Sequence, residues 1–389
     1  MPETNFASNF AETYQEVFSK KMRYPLRPKN LLREFVNTEF EGDLKDQGDE
    51  VDVFTVPDIK GSHKKKSDTN FYEKIPRQSG TPTKEKLKVD QVHDFNVAMT
   101  LHDQRISSIP ALAEKYAANI RKNFEESVVE ADILSNFVFT PTDNIISGAS
   151  TTVNGAVIAG ATTITFASAA DFTAGDIFFF TDTNGDTGAA LVKSIATNTI
   201  TIEDDEANFP SGLGNEEFFY KLVTALPAIA DGSVIKGDKP ISLTKSNVHD
   251  YLIDLRTKII RSKVGASDLF AHAMVDAFSL LAKDSATPVK NDFLGKDVIV
   301  NGEIKRGAGM DLLASAVGLA RSVSSVNRFY MLVAKKKYSL HFVDYLSTVA
   351  VDRVQETGGM VYTHSGYDIY QSHAFRQGRK GLSLLSFTI

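Results

Sequence analysis

Between Asp58 and Leu87 the chain reads DIKGSHKKKSDTNFYEKIPRQSGTPTKEKL, a polar and basic stretch of about thirty residues set between two strand-like segments. Loops of that length without structure of their own are uncommon in compact domains and are usually functional or disordered. The segment before it, Val51 to Val56, suits a strand; the segment after it begins at Leu87 and places Val89, Phe95, Val97, Met99 and Leu101 on one face. Together they read as a two-stranded arm over residues 36–102 with the loop at its tip. Charge is segregated along this arm. Glu39, Glu41, Asp43, Asp46, Asp49, Glu50, Asp52 and Asp58 face Lys45 alone near the root. Lys60, Lys64, Lys65, Lys66, Lys74, Arg77, Lys84, Lys86 and Lys88 crowd the tip. An arm of about 15 residues each way reaches ~50 Å when extended, too far to bury itself on its own body. Three readings compete: a solvated loop, a basic finger for nucleic acid with Phe71 and Tyr72 as stacking residues, and a tip that docks on the acidic part of a second copy. The third is favoured, and a head-to-tail contact of that kind closes rings or builds lattices.

Composition narrows the classes. A chain of 389 residues with 42% hydrophobic content can bury one or two sizeable cores. A net charge of -6 argues against a protein that coats nucleic acid throughout. Cysteine is absent, which excludes disulfides, thiolate metal sites and cysteine nucleophiles. No window reaches the ~18 consecutive apolar residues of a membrane span, and MPETNFASNFAETYQEVF lacks the apolar core of a signal peptide. A soluble protein made in the cytoplasm is expected, with no membrane partner.

Further along, Phe6, Phe10, Tyr14 and Phe18 predict a short N-terminal helix within an arm over residues 1–35. From Pro110 to Phe137, Leu112, Tyr116, Ile120, Phe124, Val128, Ala131 and Leu134 recur every three or four residues. That run predicts a spine helix about 40 Å long at ~1.5 Å per residue, within a segment 103–145. Between about 146 and 222 helical periodicity gives way to short strand-like pieces: TTITF, DIFFFT, AALVKSI, TITI and EFFYKL. Turn signals such as Asn184-Gly185 separate them, and they read as a small inserted β-barrel or sandwich. A body over 223–350 follows. Helices are predicted with Val248, Leu252, Leu255 and Ile259 on one face after an N-cap at Thr244 or Ser246, then over 267–281 and over 311–323. Strands RFYMLVA, VAVDRV, MVYTHSGYDIYQS and LSLLSFTI close the chain, the last part as a segment 351–389. The expected class is α+β.

Catalytic motifs are incomplete in this sequence. Gly232-Ser-Val-Ile-Lys-Gly237-Asp-Lys lacks the Gly-Lys-Ser/Thr ending of a phosphate-binding loop and reads as a turn. The pairs His93-Asp94, His102-Asp103 and His249-Asp250 have no further ligands at metal spacing. Asp182, Asn184 and Asp186 open like a calcium loop, but Val192 stands where the closing glutamate belongs. A plain hairpin is the stronger reading there, with a weak cation site as the alternative. No nucleophile elbow or acid/base pair is recognisable. The chain reads as a non-enzyme without cofactor.

The order of elements carries a resemblance. An N-terminal arm, the charged arm opening NTEFEGDLKDQGDEVDVFTVP, a spine helix, a β insertion, a helical body and the closing GMVYTHSGYDIYQSHAF together resemble the major capsid proteins of tailed bacteriophages. FEGDLKDQGDEVDVFTVP resembles the strand entering that family's extended loop, and GYDIYQS the late strand returning to its peripheral domain. The resemblance implies an HK97-like capsid fold whose segment 146–222 is placed like the insertion domain of P22-like coat proteins. It implies hexamers and pentamers in an icosahedral shell around double-stranded DNA, held without sequence-specific binding, in a virion assembled in the host cytoplasm. Scaffolding and portal proteins would be partners, and the shell would change shape as DNA is packed. An encapsulin-like compartment is the nearest alternative; a β-rich hydrolase is the alternative from another class.

Overall fold

The structure, a computed structural model, describes residues 32–40, 50–55, 83–89, 91–100, 119, 124, 128–205, 221–283, 299–300, 303–304, 306–315, 319–346, 350–356 and 359–389. The helix expected over residues 5–20, the tip of the arm and most of the spine helix lie outside these residues. In chain order come strands β1 (Glu50–Thr55), β2 (Thr83–Lys88) and β3 (Gln91–Thr100), helix α1 (Val129–Ser135) and β4 (Ile145–Ile146). Next are β5 (Ser150–Thr152), β6 (Thr163–Thr165), β7 (Ile177–Thr181), β8 (Thr187–Ala196), β9 (Thr199–Ile202), β10 (Val234–Gly237) and β11 (Ile241–Ser242). Helix α2 (Val248–Arg261), β12 (Leu269–Met274) and helix α3 (Val275–Lys283) follow. Then come β13 (Ile299–Val300), β14 (Glu303–Ile304), β15 (Arg306–Gly307), β16 (Met310–Ser315), β17 (Ala320–Val323) and β18 (Val326–Lys335). The chain closes with β19 (His341–Leu346), β20 (Ala350–Glu356), β21 (Gly359–His373), the single turn α4 (Arg376–Arg379) and β22 (Leu382–Thr388).

Three sheets build the body. The largest has the order β11-β22-β18-β12-β16-β15, with β17 paired to β18 and β4 to β22. Its two faces feed two cores by strict alternation along the strands. On β18, Tyr330, Leu332 and Ala334 join the core shared with α1, whereas Met331 and Val333 join the core under α2 and α3. Helix α2 forms because Val248, Leu252, Leu255 and Ile259 fall on one face, and all four are fully buried there. Its N-cap is Asn247, not Thr244 or Ser246; the Asn247 carboxamide instead accepts from the Thr244 amide and donates to the Ser242 carbonyl.

A second sheet has the order β5-β10-β7-β8-β9-β6. Beyond the strand pieces read from 146–222, it takes in β10, which lies between β5 and β7. Phe178, Phe180, Ala190 and Val192 face this sheet's own core with Phe166 and Phe172. Ile177, Phe179, Ala189 and Leu191 face the body's core beside Phe137. Burial on both faces is why the segment runs IFFF without polar alternation. In the third sheet β21 lies between β19 and β20 along one edge and β3 along the other.

Three expectations change. The second strand of the arm ends at Lys88; β3 belongs to the β21 sheet, so only β1 and β2 form the hairpin. The helix expected over 267–281 is β12 followed by α3, and the one over 311–323 is β16 and β17. Both segments are short apolar runs; β12 lies inside the large sheet with nearly every residue buried, and β16 lies beside it next to the edge strand β15, and over so few residues periodicity does not separate strand from helix. Tertiary pairing then overrides the helix propensity of Ala and Leu.

If α2 is held by that buried face, Leu252→Ala should lower the stability of the unassembled chain by about 2–5 kcal/mol in urea unfolding. Ile253→Ala, at a position 42% exposed, should cost under ~1 kcal/mol.

Candidate assembly surface and its buried anchors

The arm is a ladder of opposite charges. In the β1–β2 register Asp52 stands opposite Lys86 and Phe54 opposite Lys84. The ion pairs run diagonally, Lys84 to Asp52 at 2.6 Å and Lys86 to Glu50 at 2.5 Å. The hydrogen bond with Lys86 holds the Glu50 carboxyl below its usual range, and the same bond raises the Lys86 ammonium. Phe54 is 65% exposed, with the Lys84 ammonium 6.0 Å from its ring. Lys84, read from the sequence as a contact for a neighbour, is therefore paired within the arm. Lys60, Lys64, Lys65, Lys66, Lys74, Arg77, Glu41, Asp43 and Asp46 lie outside the described residues.

The root of the arm is fastened to the body. Leu87 is buried with Val343 and Phe375, and Phe40 and Val53 pack against them. Glu85 accepts from the backbone N–H of Arg376, at the start of α4. The Arg376 guanidinium donates to both carboxylate oxygens of Asp186, at 2.7 and 2.5 Å. The calcium-like loop carries the same contact. Asp182 Oδ1 accepts the amides of Asn184 and Asp186, Gly185 takes φ 81°, and the Asp186 carboxylate is occupied by Arg376 with Arg379 nearby. The segment is a hairpin turn clamped by arginine, and no cluster of three metal-ligating side chains occurs among the described residues. Of the histidine pairs, His93 packs its ring 4.8 Å from Phe124 while Asp94 faces solvent. His249 is half-buried on α2 beside an exposed Asp250, and the third pair lies outside the described residues.

Beneath this surface lie ion clusters that sequence reading missed. Arg321 and Arg328 stand directly opposite each other across the β17–β18 hairpin, both buried. Like charges so placed repel. Two buried aspartates of the six-stranded sheet neutralise them. Asp238 Oδ2 accepts from Arg321 Nε at 3.0 Å and from Tyr330 Oη at 2.6 Å, while its Oδ1 accepts from Arg328 Nη1 at 2.6 Å. Arg328 Nη2 donates to Asp176 at 2.6 Å. Burial alone would lower the Arg321 guanidinium, but Asp238 and Tyr330 hold it above its ordinary range; burial pushes the Tyr330 phenol up, so it stays a donor. A second cluster pins α1: Lys221 Nζ lies 3.0 Å from Asp132 Oδ1 and 2.7 Å from Ser372 Oγ, and Glu130 meets His272 Nε2 at 3.0 Å. Burial lowers the Lys221 ammonium despite Asp132. The partners are spread over more than a hundred positions, so no local spacing exposes them. The available signal was a pair of arginines at inward positions of a strand hairpin, concealed by reading that segment as helix.

His341 and His373 are register partners where β19 and β21 leave the body, and their rings flank Phe375 at 4.7 and 5.1 Å. Burial holds His341 down to about 4. Burial, aided by Arg379 and Lys221, holds His373 down to about 3.

No sequence family and no curated protein matches the chain. Solved structures do. The mature capsid of bacteriophage PhiM1 is 14% identical, covers 96% of this chain and 91% of that one, and superposes with a TM-score of 0.52. The capsid of cyanophage Pam1 is 10% identical over 95% of each chain, also at 0.52. That of cyanophage P-SCSP1u is 10% identical over 97% and 94%, at 0.51. The chain has a phage capsid fold. The mixed α+β class expected from the sequence agrees with it. In phage capsid terms, the described surface offers a charged arm hairpin with an exposed aromatic, rooted beside a histidine pair and joined through α4 to the turn of a second sheet.

Two outcomes follow. Asp238→Asn should cost about 3–5 kcal/mol in urea unfolding, because it leaves buried arginine charge uncompensated. Replacing Asp238, Arg321 and Tyr330 together by Leu, Met and Phe should cost less. For the histidines, the folded chain stays neutral while the unfolded chain takes up protons below the ordinary value of 6.5. Their contribution is full above about pH 6.5 and is lost as pH falls through about 4 and 3. The urea midpoint should decline over that window, and the decline should be shallower in His341→Asn/His373→Asn.

Proposed function

We propose that this chain is the major capsid protein of a tailed phage, and that its copies close an icosahedral shell of hexamers and pentamers around double-stranded DNA. The observation that carries this reading is the likeness of fold end to end, 96% of this chain against 91% of a chain from a mature capsid. The arm supports it: the hairpin has polar ladders on its surface and a phenylalanine facing solvent, and among the described residues it shares a core with the body only at its root.

In this reading residues 36–102 are the extended loop and residues 1–35 an arm bracing the inner surface. Residues 103–145 hold the spine helix of the peripheral domain, and 351–389 return to that domain, except that β22 lies in the large sheet between β11 and β18. Residues 223–350 form the axial domain, with α2 and α3 on one face of its sheet. The six-stranded sheet is an inserted domain, running past the expected 146–222 to include β10. Lys60, Lys64, Lys65, Lys66, Lys74 and Arg77 at the loop tip dock on acidic residues of a neighbour, Glu41, Asp43 and Asp46 among them. Packaged DNA is held without sequence-specific contacts, and scaffolding and portal proteins take part in assembly in the host cytoplasm. The subunit acts by geometry and carries no catalytic site.

Negative-stain microscopy of the purified protein should show uniform hollow particles; a discrete monomer under all assembly conditions would refute the proposal. The triple variant Lys64→Ala, Lys65→Ala, Lys66→Ala should reduce particle yield while leaving the melting temperature of the unassembled chain nearly unchanged.

A further inference from the structure

A cleft of about 350 Å³ opens where β4, β10 and α2 meet. Ile145 and Ile146 line it from β4, Lys236 from β10, and Asp254, Lys258 and Arg261 from α2. Three cations therefore share the cleft with one carboxylate. Among the described residues none of the three has a carboxylate within ion-pair distance. The Lys258 ammonium donates to the Asp143 carbonyl at 2.5 Å. Burial, then the nearby charges of Lys236 and Arg261, hold its pKa below the usual range for lysine, although the Asp143 and Asp254 carboxylates act the other way.

An ordinary explanation covers two of these residues. Lys258 and Arg261 stand in the last turn of α2, where cations complement the negative end of a helix. It does not cover Lys236, which comes from a different sheet and brings a third positive charge against the other two. Lys236 and Lys258 are half-buried and Arg261 stands exposed at the mouth of the cleft; like charges gathered this closely repel, and an anion between them relieves the repulsion. A guanidinium and two ammoniums around a cleft of this size suit a compact, multiply charged oxyanion better than a carboxylate.

We infer that this cleft binds a phosphate group, held between Lys236 on one wall and Lys258 and Arg261 on the other. The phosphate comes either from a free anion or from a nucleic-acid backbone; the chemistry at the cleft is the same. Because Lys236 belongs to the six-stranded sheet and α2 packs on the eight-stranded one, bound phosphate ties the two together. The inference stands on the cleft and holds for the chain assembled or not.

Titrating the purified full chain with inorganic phosphate at constant ionic strength, with chloride as the control, tests it. The melting temperature should rise with phosphate and not with chloride. Lys236→Gln and Arg261→Gln, which remove one charge-assisted contact each, should each weaken the response about tenfold. Lys239→Gln, which removes an exposed partner of Asp171, should leave it unchanged. A short DNA duplex that competes with phosphate, and loses affinity in the same two variants, identifies a nucleic-acid backbone as the source; competition by free phosphate or pyrophosphate alone identifies the free anion. Absence of any response to phosphate or duplex, or a response retained in the Lys236→Gln/Arg261→Gln double variant, overturns the inference.

Discussion

Two arginines facing each other across a hairpin are an unstable arrangement, and much of this architecture answers to it. Arg321 and Arg328 are sealed from water on adjacent strands of the large sheet. They are tolerable there because Asp176, just ahead of β7, and Asp238, just after β10, arrive from the other sheet. Each buried charge by itself costs several kcal/mol of desolvation, so the four are favourable only as a set with their hydrogen bonds made. Thr173, the Ile177 amide and Tyr330 add to the set, and Ser386 bonds the Asp238 carbonyl, while Arg321 Nη1 and Arg328 Nε find no partner among the described residues. The docking of the two sheets is thereby specified to within hydrogen-bond distance, which apolar contact alone does not do. Phe179 and Leu191 supply the burial; the ions supply the register.

Much of the fold was legible where one physical signal acts locally. Helix α2 is amphipathic because one face meets the sheet and the other meets water, so its period is visible in the letters. The strands β7, β8 and β9 are visible because turn chemistry at Asn184-Gly185 and Asn198 interrupts them. Legibility fails where an element is buried on every side. LFAHAM sits inside the large sheet with nearly every residue buried, and DLLAS beside it is too short and too mixed in burial, so neither shows a clear alternation or helical period. The parallel pairing of β12 with β16 decides their state, and pairing between distant segments is not written in either one.

The candidate site divides the same way. Segregation of acidic and basic residues along the arm was apparent from composition, but the hairpin spends part of that charge internally, Lys84 on Asp52 and Lys86 on Glu50. These pairs are exposed and screened by water, so they orient the arm more than they stabilise it. Asp186 had the spacing of a cation ligand, yet its partner is an arginine nearly two hundred residues away. A carboxylate looks the same in a sequence whether calcium or guanidinium will satisfy it; the fold chooses.

These attachments differ in strength, and under load the arm yields before the junction of the two large sheets. The junction of the two large sheets combines a two-sided apolar wall with a fully buried ion cluster, and opening it would expose both together. The arm is held at its root by one small apolar cluster, by Glu85 on the Arg376 amide, and by a half-exposed Arg376–Asp186 pair. Each of the polar attachments is worth about 1 kcal/mol or less where water competes. Arg376 sits at the crossing point, its backbone on the arm and its side chain on the turn of the six-stranded sheet. A force that swings the arm therefore either breaks Arg376 away from one of its two partners or pulls the β7–β8 turn along with it. In both cases the motion is confined to the periphery, while the charge-locked junction of the two sheets keeps its shape. In the proposed shell, where neighbours would pull on each copy, that division gives a stiff centre and a loosely rooted limb.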